Sequence, residues 1–154
     1  MLFFSLVMKY GIIFWGNSWH SSIIFRSQKM VIRIMEGCGN RVSCGGLFKK
    51  LQTLFLKSQY ILSLLVFVVQ NRTLFLTNTE NCNLDTRKRN NLYLPQANLT
   101  IYQKGAYYSG IKIFNNLPSE IKNVGGNQKK FKIALKKNFY AYSFYTLKEY
   151  FSQL

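Results

Sequence analysis

Long apolar stretches at helical spacing alternate with short polar breaks along this chain, and that rhythm predicts a helical protein. From Ile23 to Met35 apolar residues return through Ile24, Val31 and Ile34, while Arg26, Lys29 and Arg33 lie three or four apart on another face. Gly37 and Gly39 stop that helix. Ser43 is placed to N-cap a short helix through Leu47, Phe48 and Leu51. The next helix begins near Leu56 and runs to about Leu76; it is the most apolar of the chain and is predicted to be the central core helix.

From Asn78 to Asn91 the character changes to Asn, Thr and charge, including Arg87, Lys88 and Arg89, which predicts a solvated loop. Leu92 to Ile101 alternates in part and contains Pro95, so it is extended or an edge strand at best. Tyr107 to Leu117 follows, and Pro118 suits the first turn of a helix that Gly125 and Gly126 close. The last long helix begins near Asn127. In it Phe131, Leu135, Phe139 and Tyr142 sit three or four apart, and Lys129, Lys130, Lys132, Lys136 and Lys137 cover the rest. Thr146 and Glu149 have capping-box spacing, which predicts a final short helix. The expected fold is mainly α: a small helical bundle with an irregular central loop and at most one short extended segment. Its parts are a helical region 1–77, a polar linker 78–101 and a helical region 102–154.

Composition adds partners to this picture. A chain of 154 residues with 48% hydrophobic and 16% aromatic residues can bury a core, as a disordered chain cannot. Lys and Arg number 21 against 5 acids, a net charge of +16, which favours polyanionic partners: RNA, DNA or an anionic membrane face. The apolar start, Met1 to Trp15, is broken by Lys9 and lacks both a basic n-region and a small-residue cleavage site, so it is a poor signal peptide. Tyr60 to Val69 is apolar throughout but spans about half of the ~20 residues a membrane helix needs. Both stretches are predicted to be buried helices, the membrane is disfavoured as a partner, and an intracellular location, cytoplasmic or nuclear, is expected. Cys38, Cys44 and Cys82 leave an odd thiol, which fits a reducing compartment. With His20 they lack the paired short spacing of structural zinc sites, so no metal is expected. Phe14, Trp15, Trp19 and Phe25 are expected in the core rather than as base-stacking platforms.

Catalytic constellations are missing. Two-metal phosphoryl transfer needs carboxylates converging on ions about 4 Å apart, but Glu36, Glu80, Asp85, Glu120 and Glu149 are scattered one to a segment. His20 is the only imidazole, Gly-x-Ser-x-Gly does not occur, and no Gly-Lys-Ser/Thr follows Gly45-Gly46. No catalytic residue, cofactor or small-molecule substrate is therefore expected. The candidate binding residues are Arg26, Lys29, Arg33, Arg87, Lys88, Arg89, Lys129, Lys130, Lys136 and Lys137, which would contact phosphates without base-specific readout.

Several ordered strings carry more than composition does. Tyr10-Gly11-Ile12-Ile13-Phe14-Trp15-Gly16-Asn17-Ser18 precedes Ile24-Phe25-Arg26-Ser27-Gln28-Lys29 and Ile32-Arg33-Ile34. Ser43-Cys44, Leu47-Phe48-Lys49-Lys50-Leu51 and Asp85-Thr86-Arg87 come next. Tyr102-Gln103-Lys104-Gly105-Ala106-Tyr107-Tyr108-Ser109-Gly110-Ile111-Lys112, Phe114-Asn115-Asn116-Leu117-Pro118 and Phe144-Tyr145-Thr146-Leu147-Lys148-Glu149-Tyr150-Phe151 complete the series. In that order, from about Leu2 to Phe151, they resemble the C-terminal region of reverse transcriptases from jockey-like non-LTR retrotransposons. The resemblance implies an RNA-directed DNA polymerase as parent, with 1–77 thumb-like and 102–154 its tail. This region would lie downstream of the palm and grip template, primer or element RNA while the absent palm carries out synthesis. The chain is then expected to be a truncated, non-catalytic fragment whose partners are nucleic acid and that palm. Val42 stands where the family usually has an acid, Cys82 where a His is common, and Asp85 where the motif has Asn; the stretch from Val7 to Tyr10 is short. Those departures point to a decayed copy, so the alternatives are a product with no selected function or a small basic membrane-associated protein.

Overall fold

The computed structural model describes residues 7, 9–82, 90–142 and 144–152. Its helices are α1 (Ile12–Trp15), α2 (Ser21–Met35), α3 (Cys44–Lys50), α4 (Leu56–Gln70), α5 (Asn78–Cys82), α6 (Thr100–Gln103), α7 (Ala106–Asn115), α8 (Ser119–Asn123), α9 (Gln128–Ala141) and α10 (Leu147–Ser152). Tight 3-10 turns occupy Arg72–Leu74 and Val124–Gly126. The protein is mainly α, as its periodicity predicts; among the described residues, β pairing is confined to an isolated antiparallel bridge between Thr77 and Leu92. Two compact units divide the chain, Met1–Tyr60 with Leu135–Gln153, and Ile61–Ala134.

In the first unit, Gly37 takes the left-handed conformation that glycine adopts most easily (φ 63°) just past the end of α2. Ser43 occupies the N-cap position of α3, although its hydroxyl makes no capping bond. The buried face of α2 runs through Ser21, Gln28 and Ile32, with Phe25 partly buried against the core. The predicted stripe of Ile24, Val31 and Ile34 is not that face: Ile34 is 67% exposed. Polar side chains take that face instead, and Gln28 points inward to bond distant backbone. Gln28 donates through Nε2 to the Leu54 carbonyl (3.1 Å) and accepts the Leu56 N–H on Oε1 (3.1 Å). Ile32, Cys44, Phe48 and Phe55 form the core beside this bond pair, with Phe48 and Phe55 ring centres 4.1 Å apart. A second aromatic group, Phe139, Phe144 and Tyr150, meets edge to face. Burial pushes the Tyr150 phenol above its ordinary value.

Three further expectations need correction in this unit. Among the described residues of the apolar start, only Ile12 is buried, while Tyr10 and Phe14 face solvent. Of the four aromatics assigned to the core, Phe14 is 78% and Trp19 86% exposed; Trp15 is half-buried and donates its indole N–H to the Tyr10 carbonyl (2.8 Å). Helical phase explains Phe14, which lies about 200° round from buried Ile12 on a 3.6-residue turn. Tyr142 is 56% exposed because α9 ends at Ala141, one residue short of it. The predicted capping box at Thr146 does form: Thr146 Oγ1 accepts the Glu149 N–H (3.2 Å), and the Glu149 carboxylate accepts the Tyr145 N–H (2.7 Å).

In the second unit, α4 buries Ile61, Leu62, Leu64, Leu65 and Val68, as expected of the most apolar helix. It ends at Gln70 rather than Leu76, where Asn71 folds its side-chain amide back onto the Phe67 carbonyl (2.9 Å). Gly110 lets α7 approach α4 closely, because a Cβ there would sit 2.9 Å from Val68 Cγ2. Phe75 stacks on Tyr107 with ring centres 5.0 Å apart.

The polar stretch predicted as a loop begins instead with α5, and its start is a capping box. Thr77 donates its N–H and hydroxyl to the Glu80 carboxylate (2.6 and 2.7 Å), and its hydroxyl accepts the Glu80 N–H (3.3 Å). Residues 83–89 lie outside the described residues. The segment after them has no regular structure as far as Leu99 apart from the bridge at Leu92, and α6 then takes Thr100 and Ile101 into a helix. This stretch lies within the second compact unit. Asn115 Oδ1 accepts the Leu92 N–H and Nδ2 donates to the Leu92 carbonyl, both at 2.8 Å, so one side chain does for buried Leu92 what a neighbouring strand would do.

Ser58, in the first unit, is fully buried and its hydroxyl has no hydrogen-bond partner. Ser58→Ala removes that unmet polar group, and urea unfolding is expected to show a gain of about 1 kcal/mol. A loss of stability would instead place a bonding partner on the hydroxyl.

Candidate nucleic-acid interface

Four of the candidate lysines are carried by α9. The Asn127 side chain accepts the Lys130 N–H (3.1 Å) and so supplies the first bond of this helix. Phe131, Leu135 and Phe139 then recur every fourth residue and are buried, which turns Lys129, Lys130, Lys136 and Lys137 outward, where all are exposed. Lys132 and Ile133 are exposed with them. This arrangement matches the sequence pattern.

Whether such lysines can meet phosphate depends on what neutralises them, and few acids are left to do so. Glu36 pairs with the Lys50 ammonium, and that hydrogen bond raises the lysine above its ordinary pKa. Glu80 and Glu149 close the boxes that start α5 and α10. The Thr77 donors hold the Glu80 carboxyl below the usual carboxylate range. Glu120 is exposed in the first turn of α8, where negative charge suits the helix dipole. Asp85 lies outside the described residues. Among the described residues, the Lys50–Glu36 contact is the ion pair present, and no carboxylate pairs with the α9 lysines.

The basic stripe of α2 is more committed to the fold than its spacing suggests. Arg26 is exposed. Lys29 holds its ammonium 4.9 Å from the centre of the Phe25 ring, a cation–π contact. Arg33 donates through Nε to the Val42 carbonyl (3.0 Å), tying the α2–α3 connection to the helix. Each can still offer donors, but two of the three are also structural. Arg87, Lys88 and Arg89 lie outside the described residues.

Sequence reasoning missed the cations that stand alone in the chain. Lys57 donates to the Gly16 carbonyl and the Ser21 hydroxyl, both at 2.9 Å, and burial lowers its pKa. Lys122 donates to the Asn115 carbonyl (2.7 Å) and to Asn91 Oδ1 (3.3 Å), and burial lowers its pKa too. Neither belongs to a charge run, and no spacing rule singles out an isolated lysine.

No family model, curated protein or solved structure matches the chain. Among the described residues no group of three His, Cys, Asp or Glu side chains is placed to hold a metal ion. Among the same residues no helix is long and apolar enough to cross a membrane.

Proposed function

We propose that this chain binds RNA or DNA through its phosphates and performs no catalysis, as the truncated C-terminal region of a non-LTR retrotransposon reverse transcriptase. The outward face of α9 carries the binding half of that reading, because Lys129, Lys130, Lys136 and Lys137 are exposed and, among the described residues, have no carboxylate partner. Phosphate contacts of this kind release condensed counterions, and affinity follows from that release rather than from base sequence. Arg26, Lys29 and Arg33 add positive charge along α2. Exposed Phe14 and Trp19 offer rings on which unpaired bases can stack. The ordered strings support the reverse-transcriptase half. So does the outer side of α2, where Ile23, Met30 and Ile34 recur at helical spacing and are exposed, as suits a surface that an absent palm would cover.

The test is fluorescence anisotropy with single-stranded RNA over a range of salt concentrations. Log affinity is expected to fall linearly with log salt, and replacing Lys129, Lys130, Lys136 and Lys137 by Gln is expected to flatten the slope by up to about 3 units. Circular dichroism of the variant should match the parent, since none of the four side chains is buried. Salt-insensitive binding, or no binding, ends this reading.

A further inference from the structure

The second unit contains a groove of about 700 Å³ whose lining includes Arg72, Asn91, Phe114, Ser119, Lys122 and Asn123. That volume lies within the range of small-molecule sites, and among the described residues no carboxylate lines it. Its polar groups are dominated by donors. The Lys122 ammonium has three N–H bonds and uses two, on the Asn115 carbonyl and on Asn91 Oδ1. Because Asn91 Oδ1 faces that ammonium, the Asn91 NH₂ is left to donate elsewhere. Arg72 directs one N–H to the Phe75 carbonyl (2.5 Å) and keeps the rest of its guanidinium fork. The Glu80 carboxylate feels Arg72, but Arg72 is the smallest influence on it, and the Thr77 donors hold it at the cap of α5. Among the described residues, Lys122 is thus a half-buried cation held by neutral oxygens alone. Its lowered pKa reflects the same loss of water, and an anion in the groove would offset it.

We propose that this groove is a phosphate subsite for a single nucleotide unit, held by the Lys122 ammonium and the Arg72 guanidinium. The Asn91 and Asn123 amides are left for sugar or base. Guanidinium and ammonium together suit a phosphate because the fork fixes two oxygens and the point charge neutralises a third. A free nucleotide and a nucleotide within a strand share this chemistry. Choosing the strand as the source rests on the function proposed above; the anion site does not.

The full chain, labelled with ¹⁵N, is titrated with inorganic phosphate, with AMP and with a single-stranded RNA. The decisive variant is Ser119→Asp, which puts a carboxylate in the groove at the first position of α8, where negative charge favours the helix. The fold is therefore retained, and AMP binding is expected to weaken about tenfold or more through repulsion. Arg72→Gln is expected to weaken AMP and inorganic phosphate together, and Asn123→Ala to weaken AMP alone. If RNA affinity falls with Ser119→Asp, the groove takes a strand; if only AMP binding falls, it takes a free nucleotide. Side-chain amide signals of Asn91 and Asn123 that stay unmoved at millimolar AMP would overturn the proposal, as would an AMP affinity indifferent to Ser119→Asp. Replacing the α9 lysines separates the two readings: AMP binding that survives with no salt-dependent RNA binding in the parent removes the nucleic-acid function and leaves the groove intact.

Discussion

Gln28→Leu is expected to destabilise the protein by roughly 2–5 kcal/mol, read as a shift in the urea midpoint. Leucine nearly conserves the volume, so the effect isolates the polar work of the side chain. Gln28 is buried, and its amide satisfies the Leu54 carbonyl and the Leu56 N–H, both on buried residues. The Leu56 N–H is one of the first donors of α4, which has no partner inside its own helix. Gln28 therefore caps α4 from 28 residues away. Removing it leaves a buried acceptor and a buried donor unmet at about 1–3 kcal/mol each. Ser27→Ala on the exposed side of the same helix is the control, expected to change little. An unchanged midpoint in Gln28→Leu would mean that the two groups find other partners and that this bond pair contributes nothing.

Gly16→Val is expected to cost about 3 kcal/mol and to lower Tm by roughly 6–12 °C. The backbone at Gly16 is ordinary right-handed helix (φ −61°), so the demand for glycine is one of space. A Cβ there would overlap the Tyr60 ring and lie 2.6 Å from the Ile12 carbonyl oxygen. Tyr60 is fully buried and cannot swing aside, and the carbonyl is backbone. Valine adds two methyl groups to that overlap. Gly125→Ala is the matched comparison, because an added Cβ there meets nothing within 4 Å. It is expected to leave stability within about 1 kcal/mol of the parent. Equal melting of Gly16→Val and the parent would show that the Tyr60 region can yield.

These two positions also show where sequence patterns stop informing. Periodicity located α2, α3, α4 and α9, and the Thr146–Glu149 box located α10, because turn spacing and capping bonds act within a few residues. The box from Thr77 to Glu80 has the same spacing. Its polar surroundings outweighed it, so α5 went unrecognised. The inner face of α2 was hidden for a different reason: Ser21 and Gln28 are polar, and Gln28 is satisfied by distant backbone while the Ser21 hydroxyl donates to the Ser18 carbonyl and accepts from Lys57. Among the candidate site residues, the α9 lysines were legible because a helix with one apolar stripe must turn its lysines outward. Arg72 and Lys122 were not, since folding alone brings these separate residues to one groove.

The sequence by itself therefore determined the helical class, the large excess of positive charge and the outward lysine face of α9, all of which follow from composition or from contacts within a turn or two. The tertiary structure decided which face of α2 is buried, which aromatics stay exposed and which acids are tied up in caps and an ion pair. It also decided that Lys122 sits half-buried in a groove that has no carboxylate among its described lining residues. Burial and pairing depend on residues remote in the chain, and no local pattern encodes them.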